Sequence, residues 1–197
     1  MKIIDAAVVA RSKFVTLFEV AYTDKRGNAR RWHLVSRDAR PKCITGAQSR
    51  PDAAIIVPYH RRENKLVVIK EYRVPIGDYQ YGFPAGLLDP GEALAVTAGR
   101  ELKEETGLDL VKIYRHSPAI FSSAGITDES IAMVFAEVEG SPSLHHNGDS
   151  EDIEVFLMDR QEVRDLLQRR DLFFGARAWL AMDAFARLGE AYFKNTD

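Results

Sequence analysis

Three carboxylates, Glu101, Glu104 and Glu105, crowd one short stretch of this chain. On a helix, Glu101 and Glu105 are four apart and share a face, with Glu104 beside Glu101 at a spacing of three. Carboxylates this close repel one another unless a cation sits among them. Hard oxygen ligands suit Mg²⁺ or Mn²⁺ rather than zinc. A Mg²⁺ held by a few carboxylates keeps positions open for water and phosphate oxygens, so the chemistry it serves is stabilisation of phosphoryl charge and activation of water. Arg100, four residues before Glu104, can hold helix carboxylates in place. Gly86 and Gly91 let the chain turn tightly before the helix, and Ala85 offers its backbone carbonyl as a further oxygen ligand.

Glu-Leu-Lys-Glu-Glu by itself also suits a solvated helix face laced with i,i+4 pairs. The longer spacing is more specific. Gly86 is followed by five residues, Glu92, seven residues, and then Arg100-Glu101-Leu102-Lys103-Glu104-Glu105-Thr106-Gly107-Leu108. Seven fixed residues and two apolar ones match by chance on the order of once in a billion starting points.

The elements that must position these residues can be read around them. Glu92 to Thr106 reads as a helix with Ala95, Ala98 and Leu102 on one side and Gly107 as its stop. Tyr81 to Gly91, rich in Gly and Pro, reads as the loop before it. Ala53 to Tyr59 is a near-continuous apolar run, the mark of a buried strand, and Lys65 to Tyr72 pairs back on it after a turn at Arg61 to Asn64. Val111 to Tyr114, Ala119 to Phe121, Ile131 to Glu137 and Ile153 to Met158 are further strands. Glu162 to Arg169 and Ala176 to Leu188 are helices, and Gly140 to Asp152 is a long polar loop. Upstream, Ile3 to about Arg37 reads as short strands with a turn at Asp24 to Asn28, and Arg37 to Asp52 as a connector. The expected architecture is α/β: a mixed sheet with packed helices, residues 51–197, behind a β-rich extension, residues 1–50.

The full spacing from Gly86 to Leu108 is that of the Nudix box, with every signature position filled, and the element order resembles the Nudix α/β/α sandwich. The resemblance implies hydrolysis of a nucleoside diphosphate linked to another group, with Mg²⁺ (Mn²⁺ as the alternative) as cofactor. By motif position, the metal ligands are Glu101, Glu104 and Glu105, and Glu92 is an outer ligand or a support for the helix. Gly86 and Arg100 belong to the same machinery.

Beyond the box, the chain resembles the ADP-ribose pyrophosphatase and nucleotide-sugar hydrolase branch. The β-rich extension is similar to one that helps such proteins form homodimers. Arg73, in Glu71-Tyr72-Arg73, corresponds to a phosphate clamp; its planar fork matches phosphate oxygens, and a surface arginine at a strand end is the alternative. Trp32 corresponds to a position that stacks an adenine ring in some relatives, against a core or interface role. In Asp149-Ser150-Glu151-Asp152, the resemblance makes Glu151 a metal-facing carboxylate and Asp149 the candidate general base, which takes a proton from the attacking water. A solvated loop is the alternative there. Where ADP-ribose hydrolases of the branch usually carry proline, this chain has Ala124, so GDP-mannose or another nucleotide sugar stays open beside ADP-ribose.

The totals exclude other classes. With 27 basic and 29 acidic residues the net charge is −2, which argues against nucleic acid or an anionic membrane as partner. The single cysteine, Cys43, forms no intrachain disulfide and suits the cytoplasm. Asp5 and Arg11 break the apolar start, so no signal peptide is expected. Two rivals remain. One is a non-catalytic nucleotide-sugar sensor, a class that often loses box carboxylates, all of which are kept here. The other is a Nudix enzyme that decaps mRNA or clears 8-oxo-nucleotides, against which the extension and the Asp149 to Asp152 stretch argue.

Overall fold

An apolar run such as Ala53 to Val57 makes a stable strand only if both of its faces are covered. The computed structural model, which describes residues 1–143 and 152–194, shows it covered on both. Strand β4 (Ala53–His60) is followed by β5 (Lys65–Arg73), β6 (Asp78–Gly82), β7 (Ala85–Leu87), helix α2 (Leu94–Thr106), β8 (Asp109–His116) and, later, β10 (Ser130–Glu139). After it come β11 (Ile153–Met158), helix α3 (Arg160–Gln168), β12 (Phe173–Phe174) and helix α4 (Ala176–Leu188). The strand order is β12-β6-β5-β4-β10-β8, with β11 pairing β5 and β7 pairing β4. β12 runs parallel to β6, while the β5–β6 and β5–β11 pairs are antiparallel, so the sheet is mixed.

Side-chain alternation along β4 sorts the core. Ala54 and Ile56 pack with Ala98 and Leu102 of α2, Leu108, and Val134 and Ala136 of β10. Val57 and Tyr59 pack with Val163 of α3 and with Met182, Phe185 and Phe193. Helices therefore cover both faces, which is the expected α/β/α layering. Burying a side chain such as Leu102 stabilises by about 1.5–3 kcal/mol, so α2 is anchored by its apolar stripe.

The chain divides into two compact units, Ala53–Ser117 with Met133–Asp197, and Met1–Asp52 with Pro118–Ala132. The latter holds the antiparallel sheet β1 (Lys2–Arg11), β2 (Thr16–Thr23) and β3 (Ala29–Ser36). It also holds a one-turn helix, α1 (Lys42–Thr45), and β9 (Ile120–Phe121). Lys42 is buried, and its ammonium is satisfied by the Asp52 carboxylate at 2.6 Å, Ser130 Oγ at 2.7 Å and the Arg50 carbonyl at 3.0 Å.

Four local expectations are corrected. The Tyr81 to Gly91 stretch contains the end of β6 and all of β7, because pairing with neighbouring strands overrides its Gly and Pro content. The box helix starts at Leu94 rather than Glu92. Ala95 is exposed, and Leu94 is the residue that packs on the core from that end. The 37–52 connector contains α1.

Candidate active site

Helix α2 ends where Gly107 adopts φ +73° and returns its N–H to the Lys103 carbonyl, a left-handed cap that glycine takes without strain. Its apolar stripe fixes the rotation of the helix, and that rotation presents Glu101 and Glu105 to β7. Ala85 N–H donates to Glu105 Oε2 at 3.2 Å. Glu105 is only 8% exposed. Next along β7, Gly86 lies so close to Glu101 that a Cβ built there would fall 1.9 Å from its carboxyl carbon. No other residue type leaves room for Glu101 in this position.

Arg100 ties the remaining carboxylates together. Its Nε and Nη2 donate to the two Glu92 oxygens at 3.3 and 3.1 Å. Its Nη1 donates to Glu101 at 2.6 Å and Glu104 at 3.4 Å, and Nη2 also reaches the Leu87 carbonyl at 3.3 Å. The Arg100 hydrogen bonds, followed by one from Thr97, pull the Glu92 carboxyl down to about 2, and Glu92 in turn raises the Arg100 pKa. Among the described residues, no three His, Cys, Asp or Glu side chains converge as a ligand cage. Glu101 and Glu104 are instead engaged by Arg100, and Glu105 by Ala85.

Ala85, Gly86, Glu92, Arg100, Glu101, Glu104 and Glu105 are thus brought together. Arg73 ends β5, half exposed, with Nη1 donating to Glu71 at 2.7 Å. Trp32 belongs to the other unit, on β3 opposite Val20, and is 50% exposed. Asp149 and Glu151 lie outside the described residues, but both flanks of their segment are fixed. Ser143 N–H donates to the Thr106 carbonyl at 2.9 Å, at the end of α2. The Asp152 carbonyl accepts from Tyr72 N–H at 3.0 Å, and its carboxylate accepts from the Tyr79 hydroxyl at 2.5 Å. That hydrogen bond raises the Tyr79 pKa. The sequence alone assigns no role to Tyr79 or Thr97. For Thr97 a signal was available, a hydroxyl one turn into a helix whose entry carries Glu92.

The NUDIX domain profile matches residues 49–181. The chain belongs to the Nudix family. As a Nudix hydrolase, it is similar to the branch of ADP-ribose and ADP-sugar pyrophosphatases. An ADP-sugar pyrophosphatase of Mus musculus is 29% identical over 185 residues, covering 90% of this chain and 80% of the relative. An ADP-ribose pyrophosphatase of Saccharomyces cerevisiae is 30% identical over 179 residues, covering 86% and 76%. The crystal structure of an ADP compounds hydrolase shares the fold, with a TM-score of 0.73 and 24% identity over 96% of both chains. Among the described residues, no helix of this Nudix chain is long and apolar enough to cross a membrane.

Proposed function

We propose that this Nudix hydrolase cleaves the diphosphate of ADP-ribose or a related nucleotide sugar, releasing a nucleoside monophosphate and a sugar phosphate, with Mg²⁺ as cofactor and Mn²⁺ as a substitute. The observation that carries the proposal is the seating of Glu101 and Glu105 against the β7 backbone at Gly86 and Ala85. The donor set fits the cation. Three carboxylates, Glu92, Glu101 and Glu104, pair with one guanidinium, Arg100, and Glu105 is held by Ala85 N–H, so the four acids and one base carry a formal balance of −4 + 1 = −3. All the candidate donors are hard oxygens. Glu101, Glu104, Glu105, the Ala85 carbonyl and Glu151 would hold the cation. When bound, it would offset phosphate charge and acidify a water.

The chain's own residues supply the rest. Arg100 holds Glu101 and Glu104 in place when phosphate is absent, which limits reorganisation when it arrives. Arg73 clamps a phosphate through its guanidinium fork. Trp32 stacks the base. Asp149 takes the proton from the attacking water. The extension forms a homodimer, and the protein is cytoplasmic.

The test is release of products from a panel of ADP-ribose, GDP-mannose, other nucleoside diphosphate sugars and nucleoside triphosphates, with and without Mg²⁺. AMP and ribose 5-phosphate from ADP-ribose, abolished by chelation, is the expected result. Tight binding without turnover would instead mark a sensor, and preference for triphosphates would mark a nucleotide-clearing enzyme.

A further inference from the structure

Thr97 is not one of the fixed positions of the Gly86 to Leu108 spacing; it lies in the second turn of α2 and is fully buried at 0% exposure. Its hydroxyl donates to Glu92 Oε2 at 2.8 Å; the Ala93 carbonyl, its other acceptor, is at 3.5 Å. Glu92 sits ahead of the first helical residue, so the helical backbone does not fix its side chain. It is fixed by donors, namely Thr97 Oγ1, Asp89 N–H at 3.2 Å, and Arg100 Nε and Nη2. Of these, Thr97 is the buried side-chain donor, at 0% exposure, and it is carried on the helix itself. Arg100 is long and ends 33% exposed. Once held by Glu92, it directs Nη1 to Glu101 and Glu104. A continuous chain of contacts therefore runs from the buried hydroxyl through Glu92 and Arg100 to the Glu101 carboxylate that rests on Gly86.

We infer that Thr97 is a positioning residue that sets the divalent-cation affinity of the site through Glu92 and Arg100. The inference rests on the proposed function. Valine fills nearly the same volume without the hydroxyl, so packing and hydrogen bonding can be separated.

The test uses the full chain as wild type, T97V, T97S, E92Q and T97V/E92Q. Mn²⁺ affinity is read by electron paramagnetic resonance of free Mn²⁺ in the absence of substrate, alongside kcat, KM and the Mg²⁺ concentration for half-maximal rate. T97V should weaken Mn²⁺ binding roughly 10-fold, the scale of losing an outer partner of a ligand. It should raise the Mg²⁺ requirement in proportion and leave KM at saturating Mg²⁺ unchanged. T97S should bind as wild type, and T97V should add nothing in the E92Q background. If valine prevents folding, T97A against T97S isolates the same hydroxyl. Wild-type affinity in the hydroxyl-free variant, or an equal loss with and without E92Q, overturns the role of Thr97 alone. A wild-type protein that binds no Mn²⁺ overturns this inference and the proposed function together.

Discussion

The carboxylate cluster on α2 and the candidate substrate contacts, Arg73 and Trp32, are held in opposite ways. Glu101 and Glu105 are largely buried and seated on β7, and Glu92, Arg100 and Thr97 interlock behind them. Arg73 is half exposed at a strand end with a Glu71 partner, and Trp32 is half exposed on a sheet. An exposed ion pair such as Arg73–Glu71 contributes about 0–1 kcal/mol, so Arg73 can leave Glu71 for a phosphate at little cost. On the proposed function, the chemical step would be served by preset groups and recognition by adjustable ones. Substitutions in the first region should act on kcat and metal affinity, those in the second on KM.

The largest effect is expected at Glu105. Glu105→Gln keeps an oxygen for Ala85 N–H and removes the charge, so the fold should persist while kcat falls by about 10³-fold or more. Steady-state kinetics at saturating Mg²⁺ measure it, and near-normal turnover would remove the box from the mechanism. Next comes Gly86→Ala. The new methyl would occupy the space of the Glu101 carboxylate, 1.9 Å away. That carboxylate ends a flexible side chain and can swing aside, so thermal stability should change little. Metal affinity should drop roughly 10- to 100-fold, measurable by calorimetric Mn²⁺ titration. A large stability loss with intact metal binding would contradict the division of roles.

These residues were legible because they are contiguous. A 23-residue stretch supplies the candidate ligands, the stop at Gly107 and the stripe of Ala98 and Leu102 that orients the helix. Apolar continuity likewise disclosed β4, with Lys65 to Tyr72 read as its hairpin partner and Ile153 to Met158 as a further strand. What escaped depends on partners distant in sequence. β7 is a strand only because β4 lies beside it. The Lys42 ammonium is buried because Ser130, 88 residues on, meets it. Thr97 looks like an ordinary helix residue until Glu92 folds back against it. The roles proposed for Arg73 and Trp32 come from resemblance alone, since contact with a ligand leaves no local pattern.

Arg73→Ala therefore probes the second region. KM for the nucleotide sugar should rise roughly 10-fold, the worth of one charge-assisted phosphate contact, with kcat and Mn²⁺ affinity nearly unchanged. Arg73→Lys should recover only part of the loss, because an ammonium cannot make the bidentate contact. A fall in kcat with constant KM would move Arg73 into the preset group and blur the comparison.

The smallest effect concerns stability in the unit that carries Trp32. Asp24 caps the β2–β3 turn, accepting from Asn28 Nδ2 at 3.1 Å, from the backbone N–H of Asn28 and of Arg26 at 2.9 Å each, and from Arg30 Nε at 3.1 Å. These bonds, the Asn28 side chain first, hold its carboxyl at about 2 against an ordinary 3.8. A depressed acid stabilises the fold above its unfolded pKa and loses that contribution as the pH falls through its folded pKa. Wild type should therefore exceed Asp24→Asn in denaturant midpoint at neutral pH, and the gap should close between about pH 4 and pH 2. Activity at neutral pH should be unaffected by the substitution. A gap that persists unchanged to pH 2 would mean that the turn is held by shape rather than charge. A loss of activity would mean that the exposed sheet and the buried cluster are coupled, and the contrast between them would fail.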